Sequence, residues 1–126
     1  MKTKRAGQWD WNVKTGEMKF SPEYFRMLGY EKTDFSDNLL SWMGLIHIDD
    51  LDWAMYVKTN CINGRNESFR LEYRMLAENG EWRWILSQGK CIARDENGRA
   101  LQLTGTHRDI SDSRRGKAPE RVERST

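Results

Sequence analysis

Hydrophobic and polar positions alternate at the start of the chain. Trp9, Trp11 and Val13 are separated by Asp10 and Asn12, the period of a half-buried strand. Lys14-Thr15-Gly16-Glu17 has the composition of a turn, and Met18 to Phe20 returns as a second short strand. Ser21-Pro22 opens a helix: serine caps free amides, and proline at the first helical position forfeits no needed donor. Its apolar stripe is Tyr24, Phe25 and Leu28, with Met27 at the margin. Gly29 suits the left-handed residue beyond the helix end.

The pattern weakens in the middle. Asp37 is a candidate cap for a short helix through Leu39, Leu40 and Trp42. His47-Ile48-Asp49-Asp50 marks a boundary, with Asp49 or Asp50 capping the next helix, where acidic side chains suit the dipole. Leu51, Ala54, Met55, Cys61 and Ile62 follow helical spacing, and Asn63-Gly64 ends the run. Alternation then returns. Phe69, Leu71, Tyr73 and Met75 interleave with Ser68, Arg70, Glu72 and Arg74, and Asn79-Gly80 is a strong hairpin signal. In the following strand Trp82, Trp84 and Leu86 share one face, and Gly89 reads as a bulge or bend. Asp95-Glu96-Asn97-Gly98 is another turn, and Ala100 to Asp109 completes the set. The tight connections make these last strands antiparallel neighbours. Glu72, Arg74 and Arg83 read as a charged set on one sheet face. Two strands, several helices and three strands give an α+β layer arrangement.

Length and charge narrow the class. A chain of 126 residues suits one domain, and fourteen aromatic residues can fill its core, which excludes wholesale disorder. No apolar run approaches the roughly 20 residues that span a bilayer. Lys2, Lys4 and Arg5 lead into an amphipathic segment rather than a secretion signal, so a cytoplasmic location is expected. With 21 basic and 19 acidic residues, the net charge of +2 argues against a dedicated nucleic-acid binder. Apolar residues nearly vanish after Ser111. Residues 7–111 therefore read as the folded unit, and 112–126 as an exit linker or the start of an output helix, carrying Arg114, Arg115, Lys117, Arg121 and Arg124. Cys61 and Cys91 lack metal-ligand spacing and read as reduced thiols, and the Asn66-Glu67-Ser68 sequon reads as accidental.

Six pieces in order resemble a PAS domain with a PAC motif, of the bacterial sensory-box type. They are Trp9-Asp10-Trp11 with Thr15-Gly16-Glu17; Ser21 to Leu28-Gly29-Tyr30; and Trp42 to Ile46-His47-Ile48-Asp49-Asp50. They continue with Phe69-Arg70-Leu71-Glu72-Tyr73-Arg74; Asn79-Gly80-Glu81-Trp82-Arg83-Trp84-Ile85; and Gly105-Thr106-His107-Arg108-Asp109-Ile110-Ser111. Ile48 stands where the family usually has proline, which loosens that corner, and Ser111 replaces a threonine. The resemblance implies a five-stranded antiparallel sheet with helices on one face. It also implies a sensor or interaction module inside a larger signalling protein, a histidine kinase or cyclic-di-GMP enzyme. On this layout Phe20, Met43, Trp53, Leu71, Tyr73 and Leu86 are the candidate pocket residues, and Asp109, Ile110 and Ser111 the output motif.

The chemical candidates are weaker. His47 with Asp49 and Asp50 fits a capped turn better than a metal or acid–base site. His107 and Asp109 share a face, and a small enzyme using that pair is the rival from another class; a surface or interface pair is the plainer reading. Asn60-Cys61 lacks the continuation of flavin-reactive relatives, and residues 50–62 hold no histidine for haem, so no cofactor is expected. A downstream output domain, a homodimer and a small-molecule ligand are the expected partners, with neither nucleic acid nor membrane contact. A ligand-free interaction domain with a filled core is the second alternative.

Overall fold

The computed structural model describes residues 6–113. The elements run β1 Ala6–Asn12, β2 Met18–Phe20, α1 Pro22–Arg26, a 3-10 turn at Lys32–Asp34, α2 Leu39–Met43, α3 Ile48–Ile62, β3 Ser68–Leu76, β4 Trp82–Arg94 and β5 Ala100–Asp109. The strands form one antiparallel sheet in the order β2-β1-β5-β4-β3, so the two halves of the chain meet where β1 pairs with β5. The α+β class and the five-stranded sheet are as expected. The basic cluster from Arg114 onward lies outside the described residues.

The alternation in each strand sends one set of side chains to the helices. Trp9, Trp11, Phe20, Phe69, Leu71, Tyr73, Met75, Ile85 and Leu103 are all buried in that layer, joined by Tyr24, Phe25, Trp42 and Ala54 from the helical side. Burying a side chain of this size stabilises by about 1.5–3 kcal/mol. The α1 helix ends as the sequence predicts, with Gly29 at φ 92°.

Five local expectations need correction. Ser21 precedes α1 but makes no side-chain cap; its hydroxyl accepts the Gln8 amide of β1 instead. The α2 cap is Asn38, whose side chain accepts the Ser41 amide; Asp37 instead pairs with Lys32 at 3.5 Å. The α3 cap is the His47 ring, whose Nδ1 accepts the Asp49 amide, and Asp49 and Asp50 fill the first turn. Arg83 does not share a face with Glu72 and Arg74. It pairs across from Met75, one position out of phase, and bonds Asp109 at 2.9 Å. Gly89 is no bulge either; the register breaks at Ile92, between Cys91 and Ala93.

What Gly89 does instead is make room. It lies opposite Gly105 on β5 and Phe69 on β3, and Gly105 lies opposite Trp9 on β1. The row across four strands is thus Trp9, Gly105, Gly89, Phe69. With no side chains in the middle, the two outer rings reach over the sheet and stack, centroids 6.0 Å apart and planes within 14°. A Cβ at Gly89 would meet both the Phe69 and Trp9 rings; one at Gly105 would run into Trp9 and the Gln88 carbonyl.

Two polar clasps fix the helices to the strands. At the start of α3, buried Asp50 accepts from the backbone N, Nε and Nη2 of Arg74 at 2.8–2.9 Å. At its end, Arg94 donates to the carbonyls of Cys61, Asn66 and Gly98, each at 3.0 Å. A Gly89→Ala variant is expected to lose about 1–3 kcal/mol by overpacking. Phe69→Leu in the same chain recovers part of that loss, a non-additivity read directly by urea unfolding of the double-mutant cycle.

Candidate functional site

The interior between α3 and the sheet holds polar groups as well as apolar ones. From α2, the Trp42 Nε1 donates to the Tyr73 hydroxyl on β3 at 2.8 Å, and that hydroxyl is 2.6 Å from His107 Nε2 on β5. The indole can only donate, so it uses a lone pair on Tyr73; the hydroxyl proton then goes to His107 Nε2, and the neutral imidazole carries its own proton on Nδ1. Tyr24 stacks on the other side of the imidazole at 4.4 Å. Burial holds His107 well below the usual histidine range, with the Lys58 ammonium adding to the effect. Burial also pushes the Tyr73 and Tyr24 hydroxyls above their ordinary range.

Lys58 is the unexpected member. It projects from α3 into the core and is 1% exposed. Its Nζ lies 3.8 Å from the Trp42 ring centre, 4.6 Å from Trp9, 5.7 Å from Phe69 and 5.9 Å from Trp11. Nζ has no hydrogen-bond partner among the described residues. Taking an ammonium out of water costs several kcal/mol even after relaxation, whereas a desolvated cation–π contact returns only about 2 kcal/mol. The balance drives Lys58 down to about 7 through burial, offset in part by Cys61. Helical spacing carries the signal for this: Lys58 falls four residues after Ala54, three before Cys61 and four before Ile62, on the stripe that packs inward.

The expected pocket residues divide. Phe20, Leu71 and Tyr73 sit in the core, and Met43 and Trp53 pack partly buried against it. Leu86 does not join them. It lies opposite Glu72 and Arg108 on the far face, because Ile85 and Ser87 carry the inward parity of β4. An open cleft of about 880 Å³ is lined by Trp53, Tyr56, Val57 and Asn60 of α3 and by residues of β1, β3, β4 and β5, among them Asp10, Phe69, Lys90 and Thr104. Trp53 is the one predicted residue on its wall.

His107 and Asp109 do not form a pair. The imidazole is wholly buried against Tyr73, contrary to the surface reading, while Asp109 bonds Arg83. Asp109 also accepts the Ser111 amide, the Ser111 hydroxyl accepts the Trp84 amide, and the Ile110 amide donates to the Trp84 carbonyl. The motif Asp109-Ile110-Ser111 is thereby latched to the first residues of β4. No group of three or more His, Cys, Asp or Glu side chains suited to a metal occurs among the described residues.

The buried lysine gives a pH test with a definite sign. Between about 7 and the ordinary lysine value of 10.5, unfolded Lys58 binds more protons than the folded form, so stability rises with pH, approaching about 1.4 kcal/mol per unit. The clean window closes near 9, where unfolded thiols and then phenols shed protons that buried Cys61, Tyr24 and Tyr73 keep. Urea unfolding from pH 7 to 9 is expected to show the rise in the wild type and to lose it in Lys58→Met.

Comparison with known proteins agrees with this architecture. The family model described as PAS fold matches residues 17–107. The chain is 34% identical over 103 residues, 80% of its length, to a methyl sulfide methyltransferase-associated sensor of Methanosarcina acetivorans, and 26% identical over 112 residues, 88% of its length, to hybrid signal transduction histidine kinase I of Dictyostelium discoideum. It spans 10% and 6% of those proteins. Among solved structures, a sensory box histidine kinase/response regulator from Burkholderia thailandensis superimposes with a TM-score of 0.75 at 32% identity, covering 88% of this chain and 81% of that one. A sensory role in signal transduction fits these relatives. By its family match, its strand order and its layer of helices, the chain belongs to the PAS-fold family.

Proposed function

We propose that residues 7–111 act as the sensory module of a larger signalling protein. In this reading a small ligand or partner engages the domain, and the resulting change passes through Asp109, Ile110 and Ser111 into the segment from 112 onward. The observation that carries it is the hydrogen-bonded series from Trp42 on α2 through Tyr73 on β3 to His107 on β5, which ends two residues before the latched motif. A shift of α2 thus has a polar route to the strand that leaves the domain. A coupling of about 1–3 kcal/mol is enough to bias such an equilibrium.

The much greater length of the curated relatives supports an output domain elsewhere in the parent chain, of the histidine kinase kind. The domain itself is non-catalytic in this reading: its buried histidine serves Tyr73 and its nearby carboxylate serves Arg83. A reducing, cytoplasmic setting suits the free thiols of Cys61 and Cys91. A second reading, an interaction or dimerisation domain, is favoured by the exposed apolar side chains Leu40, Ile48, Tyr56, Trp82 and Ile92.

The relay makes a local prediction. Trp42→Phe keeps a ring in place but removes the indole donor to Tyr73. If the series transmits, the Ile110 and Ser111 amides exchange hydrogen faster in this variant than in the wild type. Unchanged exchange at both, with the fold intact, defeats the relay.

A further inference from the structure

We infer that Cys61 and Cys91 are a peroxide-responsive thiol pair, whose disulfide ties the last turn of α3 to the far end of β4. Both thiols are free, and the chain has no third cysteine. Cys61 is wholly buried, and Cys91 packs, partly exposed, against the same apolar cluster. Cys91 shares the inward parity of Ile85 and Ser87 and lies opposite buried Leu103 on β5.

Independent connections bring the pair to one corner. The Cys91 amide donates to the Glu67 carbonyl at 3.0 Å. Arg94, three residues beyond Cys91 on β4, donates to the Cys61 carbonyl at 3.0 Å. Burial pushes the Cys61 thiol up, the Arg94 guanidinium pulls it down, and the Cys91 thiol and the Glu67 carboxylate add to the upward push. Cys91, Glu67 and Arg94 are thus the electrostatic neighbours of the Cys61 sulfur. A disulfide is exacting in its geometry, and both cysteines sit where the backbone can adjust. Cys61 is one residue from the end of α3, where helices fray. Cys91 directly precedes the register slip at Ile92, and a bulge bends its strand. The Cys91 thiol donates to the Ala93 carbonyl at 3.2 Å, a weak bond to give up.

Unequal access sets the order of steps. Peroxide meets the partly exposed Cys91 first. The Cys91 thiolate attacks one peroxide oxygen, the O–O bond breaks, and a sulfenic acid forms with release of water. The Cys61 sulfur then attacks the Cys91 sulfur. The S–S bond forms, the S–O bond breaks, and the Cys61 proton leaves with the hydroxyl as a second water. Arg94 steadies the negative charge that grows on Cys61 as its proton departs. Two thiols and one peroxide give one disulfide and two waters. The inference goes beyond the sensor reading, because it needs neither an occupant in the core nor an output domain.

The test treats the purified protein with a few equivalents of hydrogen peroxide and removes the excess with catalase. The protein is then unfolded in urea with N-ethylmaleimide, and intact mass and tryptic peptides are read by mass spectrometry. The expected product is a monomer that takes up no maleimide, is lighter by two hydrogens, and yields a linked Cys61–Cys91 peptide pair that dithiothreitol separates. Cys61→Ala is expected to stop at the Cys91 sulfenic acid, trapped with dimedone, and Cys91→Ala to leave Cys61 reduced at the same dose. The oxidised wild type is expected to unfold at higher urea than the reduced form, a shift missing in both variants. A dimer linked through Cys91, or Cys91 carried on to sulfinic acid while Cys61 still takes up maleimide, overturns the pair. The wild-type peptide map needs no variant, so it decides the matter even if Cys61→Ala does not fold.

Discussion

The interior of this domain depends on an absence of side chains at two neighbouring points. Gly105 and Gly89 lie side by side in the middle of the sheet, and the Trp9 and Phe69 rings close over them from either side. Those same two rings form part of the enclosure around Lys58. Backbone bareness at the sheet centre therefore decides where the largest side chains go, and the large side chains decide what surrounds the buried Lys58 amine. An alanine at either glycine would lift a ring, and the lysine would lose a wall.

Around that enclosure the domain is a set of polar ties between layers. Asp50 with Arg74 holds the start of α3 to β3, the Trp42–Tyr73–His107 series links α2 to β5, and Arg83 with Asp109 holds the end of β5 to β4. The first of these carries a nearly buried carboxylate in three hydrogen bonds, the geometry in which an ion pair offsets its own desolvation. Arg74 also lies over the Trp84 ring at 5.3 Å, so its stem and its charge are both in use. Each tie joins residues 24 or more positions apart in the chain.

Much of the fold was legible in the sequence because its signals are local. Alternation in Phe69 to Met75, the Asn79-Gly80 turn and the start of α1 at Pro22 each act within a few residues, and all stand where expected. The caps lie one to three residues from the expected positions, since Asp and Asn compete for the same role and an imidazole can also accept an amide. Leu86 lies on the face opposite to the one its local pattern suggests, because the choice between Trp84–Leu86 and Ile85–Ser87 depends on pairing with Tyr73, a long-range fact. The site was less legible. His107 shares parity with Leu103 and Gly105, yet its charge-bearing chemistry suggested the surface. Lys58 sits on the apolar stripe of α3, but only the three-dimensional meeting of β1, α2 and β3 shows that nothing there answers its charge.

The Arg94 clasp carries a different lesson, about tolerance to change. Its guanidinium grips the carbonyl oxygens of Cys61, Asn66 and Gly98, atoms that every amino acid carries. The grip therefore makes no demand on the identity of the side chain at position 66, and at the corner joining α3 to the β4–β5 hairpin it works beside Arg99, which donates to Asn63 Oδ1 at 3.2 Å. Drift at Asn66 leaves that corner standing, whereas replacing Arg94 releases three anchor points at one stroke.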